Sequence, residues 1–294
     1  MKNSRTVFQQ VVDDIHLGES PEEIRDMAFV LLESTFGVSK TDIMAGKIVA
    51  FPQETALALK KAVDRINKGE PVQYVVGEEY FYGRKFHVNP SVLIPRPETE
   101  ELVRAVMGYH NALLIARNKP QALRILDIGT GSGCIPITLS LEIAEAELYA
   151  TDVSTAALSV AVGNAETYGA KITFIEHNIL KEKIPLSNMD VIVSNPPYVT
   201  EKEKGEMKPN VLDHEPHQAL FVSDVDPLIF YKAISERSKG ALNPNGLLVV
   251  EINEKFGKDV SEIFQLNGFR DVEIVKDVAG KERIVKALNR PFPA

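Results

Sequence analysis

The segment 124–139 constrains the fold of this chain more than any other stretch. An apolar β-type run, RILDI at 124–128, leads into a turn with glycines at 129, 131 and 133, and a helix-like segment follows. Glycines there permit a sharp bend and let a ligand approach main-chain atoms that a Cβ would block. A second β-type run ends at Asp152, about 20 residues beyond the glycines, where an acid can hydrogen-bond ribose hydroxyls. This order predicts a nucleoside-binding half of a parallel α/β sheet.

The glycine loop is compatible with two classes of nucleoside cofactor. A nicotinamide dinucleotide favours the spacing GxGxxG, because the helix N-terminus then meets a pyrophosphate. The chain has GxGxG at 129–133 with Asp127 in front, which resembles the first motif of S-adenosylmethionine (SAM) methyltransferases. Taken alone, the loop could be a purely structural tight turn. Together with Asp152 and the motif described next, it indicates SAM as the cofactor.

The second motif is NPPY at 195–198, directly after the apolar run 190–194. We call these four residues the amino clamp. An amino group on an sp² carbon is a poor nucleophile, because its lone pair is delocalised, so a site that methylates it must fix it in line with the donor. The Asn195 oxygen and a carbonyl of the proline pair can accept its two N–H bonds, while the Tyr198 ring can lie against the planar group. An ordinary strand-ending turn is the alternative reading of the motif.

The rest of the chain alternates helices and strands. We expect helices at 154–168 and 227–239, strands at 172–176, 189–194, 246–252, 271–276 and 282–287, and a loop from 199 to about 226. Such alternation predicts a doubly wound, mostly parallel α/β sheet with ligands at the carboxyl ends of its strands. Both motifs lie at such ends.

Residues before about 75 have helical patterns. Ser20-Pro21-Glu22-Glu23 is a capping-box start with proline at the first helical position, and a second helix runs from about 52 to 69. Aromatic and polar residues then alternate around Gly83, which predicts a β-hairpin. A loop with two prolines follows at 92–99 and precedes another helix.

Composition argues against several classes of protein. The net charge of −8 and the lack of an obvious basic stripe argue against a nucleic-acid binder, which usually presents a basic surface to phosphates. The single cysteine, Cys134, is expected to be a core residue, and six scattered histidines show no metal-ligand spacing, so we expect no metal. The N-terminus lacks an apolar signal segment and no 18-residue apolar span occurs, so we expect a cytoplasmic protein without membrane contact.

Three motifs in this order resemble one family, the glutamine-N5 methyltransferases of peptide-chain release factors (the PrmC/HemK type). They are GEPVQYVVG at 69–77, VLIPRPETE at 92–100 and DIGTGSG at 127–133, with Phe81 between the first two. The similarity covers nearly the whole chain. NPPY is not the specific part, because DNA and RNA amino-methyltransferases share it.

The resemblance implies a domain organisation and a reaction. It implies a five-helix substrate-recognition domain at 1–75, a hairpin and linker at 76–97, and a seven-stranded SAM-dependent (Rossmann-like) methyltransferase domain at 98–294. The implied reaction is methylation of the glutamine in the Gly-Gly-Gln motif of class 1 release factors. We expect a monomer that binds the release factor as protein substrate and does not bind nucleic acid directly.

The resemblance also implies the site residues. The cofactor-binding set is Asp127, Ile128, Gly129, Thr130, Gly131, Asp152, Asn178, Ile179 and Asn195. The catalytic set is Asn195, Pro196, Pro197 and Tyr198, and the substrate-binding set is these four with Arg96. The chain departs from the family at two places: Asn178 stands where an acid near the adenine is common, and FVSDVDP at 221–227 replaces a glycine-rich stretch.

Two other functions fit parts of this pattern. An adenine-N6 or cytosine-N4 nucleic-acid methyltransferase would flip a base into the same clamp, but the acidic charge and the N-terminal motifs weigh against it. A binding module could keep the fold without the chemistry. The intact Asn195 and Asp152 argue against that alternative.

Overall fold

The computed structural model describes residues 1–117 and 122–290, without the side chains of residues 116 and 117. The chain divides into two compact units. We call residues 1–79, 88–90 and 207–215 the helical unit, and residues 80–87, 91–206 and 216 onward the sheet unit.

Five helices occur within residues 1–79, all of which are described: α1 (Ser4–Asp14), α2 (Pro21–Phe36), α3 (Lys40–Ala45), α4 (Gln53–Ile66) and α5 (Val72–Val76). The predicted capping box is confirmed at α2, because the Ser20 hydroxyl accepts the Glu23 N–H and the Glu23 carboxylate accepts the Ser20 N–H. The helix ends at Gly37 with a φ of 64°, a conformation that glycine adopts without strain. Two short strands, β1 (Lys2–Asn3) and β2 (Ile48–Val49), pair antiparallel.

The predicted hairpin is confirmed as β3 (Glu78–Phe81) and β4 (Arg84–His87). Its two central residues, Tyr82 and Gly83, have φ values of 50° and 73°. Positive φ at both positions is what a two-residue type I′ turn requires. The loop that follows contains a 3-10 turn at Pro97–Thr99 and leads into α6.

The elements of the sheet unit alternate as the sequence predicts. They are α6 (Glu100–Arg117), β5 (Arg124–Ile128), α7 (Cys134–Glu142), β6 (Glu147–Asp152), α8 (Thr155–Tyr168), β7 (Ile172–Glu176), β8 (Met189–Ser194), α11 (Ile229–Ala241), β11 (Leu242–Glu251), α12 (Gly257–Leu266), β12 (Arg270–Lys276) and β13 (Glu282–Leu288). The segment between β8 and α11 adds several short elements, whose ranges are given below.

A seven-stranded sheet forms in the described part of this unit, in the order β12-β13-β11-β8-β5-β6-β7. All neighbours pair parallel except β13, which is antiparallel to β11 and β12. β6 and β7 lie on one side of β5 and β8 on the other, so the strand order reverses between β5 and β8. Ligands of such sheets bind at this point, outside the carboxyl ends of the strands.

The segment predicted as a loop at 199–226 contains short regular elements instead. They are β9 (Val199–Thr200), a 3-10 helix (Glu201–Glu206), α9 (Pro209–His214), α10 (His217–Leu220) and β10 (Phe221–Val222). Elements of two to six residues are too short to show a hydrophobic period, which explains why the sequence did not reveal them. β9 and β10 pair parallel, with Phe221 opposite Val199, so the chain returns to the end of the amino clamp.

Candidate active site

The predicted cofactor loop and the amino clamp line one cavity of about 480 Å³ in the sheet unit. Its walls come from the carboxyl ends of four parallel strands and from three further segments. Among the lining residues are Arg96, Thr99, Ile128, Gly129, Thr130, Gly131, Asp152, Asn178, Ile179, Asn195, Pro196 and Pro197. The structure therefore brings together every predicted site residue except Asp127 and Tyr198, which do not line the cavity.

The glycine loop takes its shape from backbone conformation at three positions, and the third is also closely packed. Gly129, Gly131 and Gly133 have φ values of 76°, 54° and 79°, where other residues are strained. A Cβ on Gly133 would lie 3.1 Å from the Ala161 Cβ atom on α8. The Gly129 and Thr130 N–H groups donate to the Thr151 carbonyl at 2.8 and 2.9 Å. These contacts hold the loop against the end of β6.

Asp127 lies beneath the loop and is fully buried, yet neither of its carboxylate oxygens has a hydrogen-bond partner. Burial raises the pKa of Asp127 to about 7, the Thr130 side chain opposes that effect, and the charge on Asp152 adds to it. A buried acceptor without a donor is unfavourable, and a cationic ligand group would satisfy it. The α-amino group of SAM is such a cation, so the residues present fit this cofactor.

Asp152 occupies the end of β6 and lines the cavity. Its two carboxylate oxygens accept the N–H groups of Gly131 and Ser154, both at 2.9 Å. Burial raises the pKa of Asp152, and these backbone donors lower it. Each oxygen keeps a second lone pair, so Asp152 can hold the glycine loop and still accept a hydroxyl hydrogen from a ribose.

Asn178 and Ile179 follow β7 and lie on the cavity wall. The Asn178 side-chain oxygen accepts the Leu180 N–H at 3.0 Å, and the backbone N–H of Asn178 donates to the Glu182 carboxylate at 3.2 Å. Asn178 thus closes a local turn at the end of β7. Its predicted contact with the adenine stays a prediction.

The end of the apolar strand β8 places the amino clamp beside the cofactor loop. Ser194 pairs with Ile128 in the parallel register of β8 and β5, and its hydroxyl donates to the Ile128 carbonyl at 2.7 Å. Asn195 follows at once. The Asn195 side-chain nitrogen donates to the Thr99 hydroxyl oxygen at 3.0 Å. This bond uses the amide nitrogen and leaves the side-chain oxygen for a ligand.

Tyr198 packs against the core that contains Ile252 and Tyr231, and its hydroxyl donates to the Glu251 Oε1 atom at 2.9 Å. Burial and the neighbouring Glu251 charge raise the pKa of Tyr198 well above its usual value. The hydroxyl therefore stays protonated and is a donor at neutral pH. A contact between the Tyr198 ring and the substrate stays a prediction.

Sequence reasoning missed two residues at the clamp, Thr99 and Glu251. Both had a detectable signal. Thr99 lies in the motif at 92–100, and Glu251 is an acid at the end of an otherwise apolar strand, where parallel sheets place functional groups. Cys134, by contrast, is buried in the core as expected, and this burial raises the pKa of its thiol to about 12.

The described ranges contain no group of three or more His, Cys, Asp or Glu side chains arranged to hold a metal ion. No helix within 1–117 and 122–290 has both the length and the apolar character needed to span a membrane.

The chain resembles known proteins along almost its whole length. Residues 16–77 match the family model described as PrmC N-terminal domain, and residues 110–219 match the model described as Methyltransferase small domain. The release factor glutamine methyltransferase of Bacteroides thetaiotaomicron is 42% identical, over 98% of this chain and 99% of that protein. That of Flavobacterium psychrophilum is 39% identical, over 97% of this chain and 98% of that protein.

One solved structure has a fold similar to that of this chain. The hMettl16 catalytic domain in complex with MAT2A 3′UTR hairpin 6 matches 85% of this chain and 87% of that chain, with a TM-score of 0.54 at 14% identity. At that identity the likeness concerns the fold alone.

Proposed function

The chain belongs to the release factor glutamine methyltransferase family, and we propose from this premise that it methylates the side-chain amide nitrogen (N5) of the glutamine in the Gly-Gly-Gln motif of class 1 release factors. The observation that carries the proposal is the position of Asn195. It follows the Ser194–Ile128 bond directly, so an acceptor for a planar amide lies beside the cofactor loop in the same cavity.

SAM supplies an electrophilic methyl group on its sulfonium. Asp127 would hold the amino group of the cofactor, the loop 128–131 its methionine part, and Asp152 its ribose hydroxyls. Asn178 and Ile179 would hold the adenine. The unpartnered oxygens of Asp127 and the spare lone pairs of Asp152 support these roles.

The clamp acts on the substrate amide. The Asn195 oxygen and a carbonyl of Pro196 or Pro197 accept its two N–H bonds and hold the nitrogen in line with the methyl group. As the new N–C bond would form, the bond between the methyl group and the sulfonium sulfur would break and leave a neutral thioether. Positive charge would grow on the amide nitrogen, and the same acceptor dipoles would stabilise it more than they stabilise the neutral amide. The nitrogen becomes acidic during transfer, so its proton can leave late, to water, and no strong base is required.

We also propose that residues 1–75 recognise the release factor and that Arg96 belongs to the substrate side of the cavity. The match of residues 16–77 to a model specific for this family's N-terminal domain supports the first assignment. The proposed partner is a translation factor, which puts the reaction in the cytoplasm. We propose a monomer without direct nucleic-acid contact.

The test is mass spectrometry of a purified class 1 release factor incubated with the full-length protein and SAM. We expect one added methyl group on the Gly-Gly-Gln glutamine, and a much lower kcat on a short peptide with the same loop, because remote binding energy helps to orient the reacting group. DNA and RNA, incubated with the protein and methyl-labelled SAM, are the control substrates. Labelling of nucleic acid without labelling of the release factor would reject the proposal in favour of a nucleic-acid methyltransferase.

A further inference from the structure

One face of α8 supports both the glycine loop and the hairpin. Ala161, Asn164 and Tyr168 are three and four residues apart on this helix, so their side chains share a face. Ala161 packs against Gly133 of the loop. The Tyr168 hydroxyl donates to the Lys85 carbonyl of β4 at 2.6 Å. Asn164 lies between these two contacts on the helix.

Asn164 reaches both structures with one side-chain amide. Its nitrogen donates to the Ser132 carbonyl at 2.8 Å and to the His87 carbonyl at 3.0 Å, and its oxygen accepts the His87 N–H at 2.8 Å. The Asn164 residue is 2% exposed. All three bonds have ordinary lengths, and they use both N–H groups of the amide. Asn164 is therefore a buried junction between the glycine loop and the end of β4.

The Ser132 carbonyl lies just before the hydrogen bonds of the following helix. α7 begins at Cys134 with Gly133 as its N-cap, and the Gly133 carbonyl accepts the Ile137 N–H at 3.0 Å. Ser132 precedes this cap and is itself buried. A buried carbonyl without a donor is unfavourable. Loss of the Asn164 N–H would therefore favour a different position of the loop.

The two ends of this junction lead to different walls of the cavity. Ser132 continues the loop 128–131, which forms the cofactor side. His87 ends β4, and the cavity wall resumes shortly afterwards at Ser91 and continues to Arg96, on the proposed substrate side. One amide thus links the cofactor loop to the chain that leads into the substrate side.

We propose that Asn164 is a positioning residue that holds the glycine loop in its SAM-binding shape and couples the loop to the end of the hairpin. Bound SAM restricts the loop, so the bonds of Asn164 to Ser132 and His87 open less often. Linkage makes the effect reciprocal, because the factor by which opening weakens SAM binding is also the factor by which SAM suppresses opening. This inference rests on the proposed function, since it uses the same cofactor position. It assigns Asn164 no contact with SAM or substrate.

The first test follows two backbone amides in the wild-type protein. Labelling with ¹⁵N-histidine places the label in six residues, and His87→Gln and His16→Gln identify two of the signals by their loss. We expect saturating SAM to slow hydrogen exchange at the His87 N–H by about fivefold or more, the lower end of typical coupling between sites.

His16 is the matched control amide. Its N–H also donates to an asparagine side-chain oxygen, that of Asn67, at 2.8 Å. Asn67 lies in the helical unit and does not line the cavity. Under native conditions such amides exchange by local opening, so SAM should leave exchange at His16 unchanged.

The second test replaces the amide of Asn164. Asn164→Leu keeps a side chain of similar size without its polar groups. The Kd for SAM should rise by about the factor measured at His87, so by about fivefold or more. SAM should no longer slow exchange at His87 in this variant. The KM for SAM should rise with the Kd, whereas kcat at saturating SAM should fall less, because Asn164 acts on the loop and not on the clamp.

Asn67→Leu is the matched control variant. Asn67 resembles Asn164 in its bonds, since its oxygen accepts the His16 N–H and its nitrogen donates to the Asp14 carbonyl, both at 2.8 Å. The variant should speed exchange at His16 and leave the Kd for SAM unchanged. A rise in Kd equal to that of N164L would show that loss of any such amide weakens binding, and would reject the positioning role.

The outcomes separate this inference from the proposed function. No slowing at His87, equal slowing at His87 and His16, or an unchanged Kd in N164L overturns the inference. If N164L does not fold, the wild-type comparison of the two amides decides alone. A response of His87 to SAM in protein that leaves release factors unmethylated rejects the function and keeps the inference, and normal methylation without that response does the reverse. Wild-type protein that binds no SAM rejects both.

Discussion

The cofactor side and the clamp side of the cavity satisfy their polar groups in different ways. On the cofactor side Asp127 is buried with both oxygens unpartnered. On the clamp side Asn195 and Tyr198 already have protein partners in Thr99 and Glu251. A ligand is thus needed to complete the first side, whereas the second is oriented before any ligand arrives. Affinity for the cofactor and rate of transfer should therefore respond to different residues.

The largest expected effect tests the clamp side. Asn195→Ala should lower turnover by roughly 100-fold or more, because it removes an acceptor that matters most while charge develops on the amide nitrogen. The Kd for SAM, from calorimetry, and the Tm should stay close to wild type. Turnover near the wild-type level would show that the clamp side does not work as described.

The next effect tests the unpartnered acid. Asp127→Asn should weaken SAM binding by about 3 kcal/mol, because it removes the charge that pairs with the cofactor's amino group. The same variant should be more stable than wild type without SAM at pH 8. The pKa of Asp127 is about 7 in the folded protein against 3.8 for the free group, so its contribution to stability is present at low pH and is lost as pH rises through 7.

Asp190 offers a matched control for this variant. Its carboxylate accepts the Arg124 N–H and the Asn243 side-chain amide, both at 3.0 Å. Asp190→Asn should therefore destabilise the protein, since it sets a donor against these donors. Urea titration measures the free energy of unfolding of both variants. If that free energy shifts in the same direction in both, the absence of a hydrogen-bond partner at Asp127 has no effect on stability, and the prediction is wrong.

A smaller effect is expected at Asp152. Asp152→Ala should weaken SAM binding by roughly 1–3 kcal/mol through loss of charge-assisted bonds to the ribose. Asp152 also holds the Gly131 N–H, so loosening of the glycine loop adds to the effect. Calorimetry with SAM, its demethylated product and NAD measures both affinity and cofactor class. Tight binding of NAD without a SAM signal would contradict the assignment.

The smallest effect concerns pH. Asp127 has a pKa of about 7 without ligand and must be ionised to pair with an ammonium group, so binding releases a proton below pH 7. The Kd for SAM should fall by about tenfold between pH 5.5 and 7. Calorimetry in buffers of different ionisation enthalpy reports the released proton. D127N should lose most of this dependence, and any remainder belongs to Asp152, whose pKa burial also raises.

Much of the fold could be predicted because its signals are local. The capping box at Ser20, the hairpin around Gly83 and the fully buried strand at 189–194 each depend on neighbours in sequence and were predicted in type and place. The prediction of a loop at 199–226 was wrong, because the short elements there are held by tertiary contacts such as the pairing of Phe221 with Val199.

The cofactor loop and the order of the two motifs were determined by the sequence itself. Positive φ at Gly129 and Gly131 and the stiffness of Pro196 and Pro197 act within a few residues of the chain. The partners of the clamp were decided only by the tertiary structure. Glu251 reaches Tyr198 because β11 pairs with β8, and Thr99 reaches Asn195 from the 3-10 turn at Pro97–Thr99, which is distant from both strands in sequence. Which donor meets which acceptor there depends on register, burial and side-chain direction, and none of these can be read from residue order.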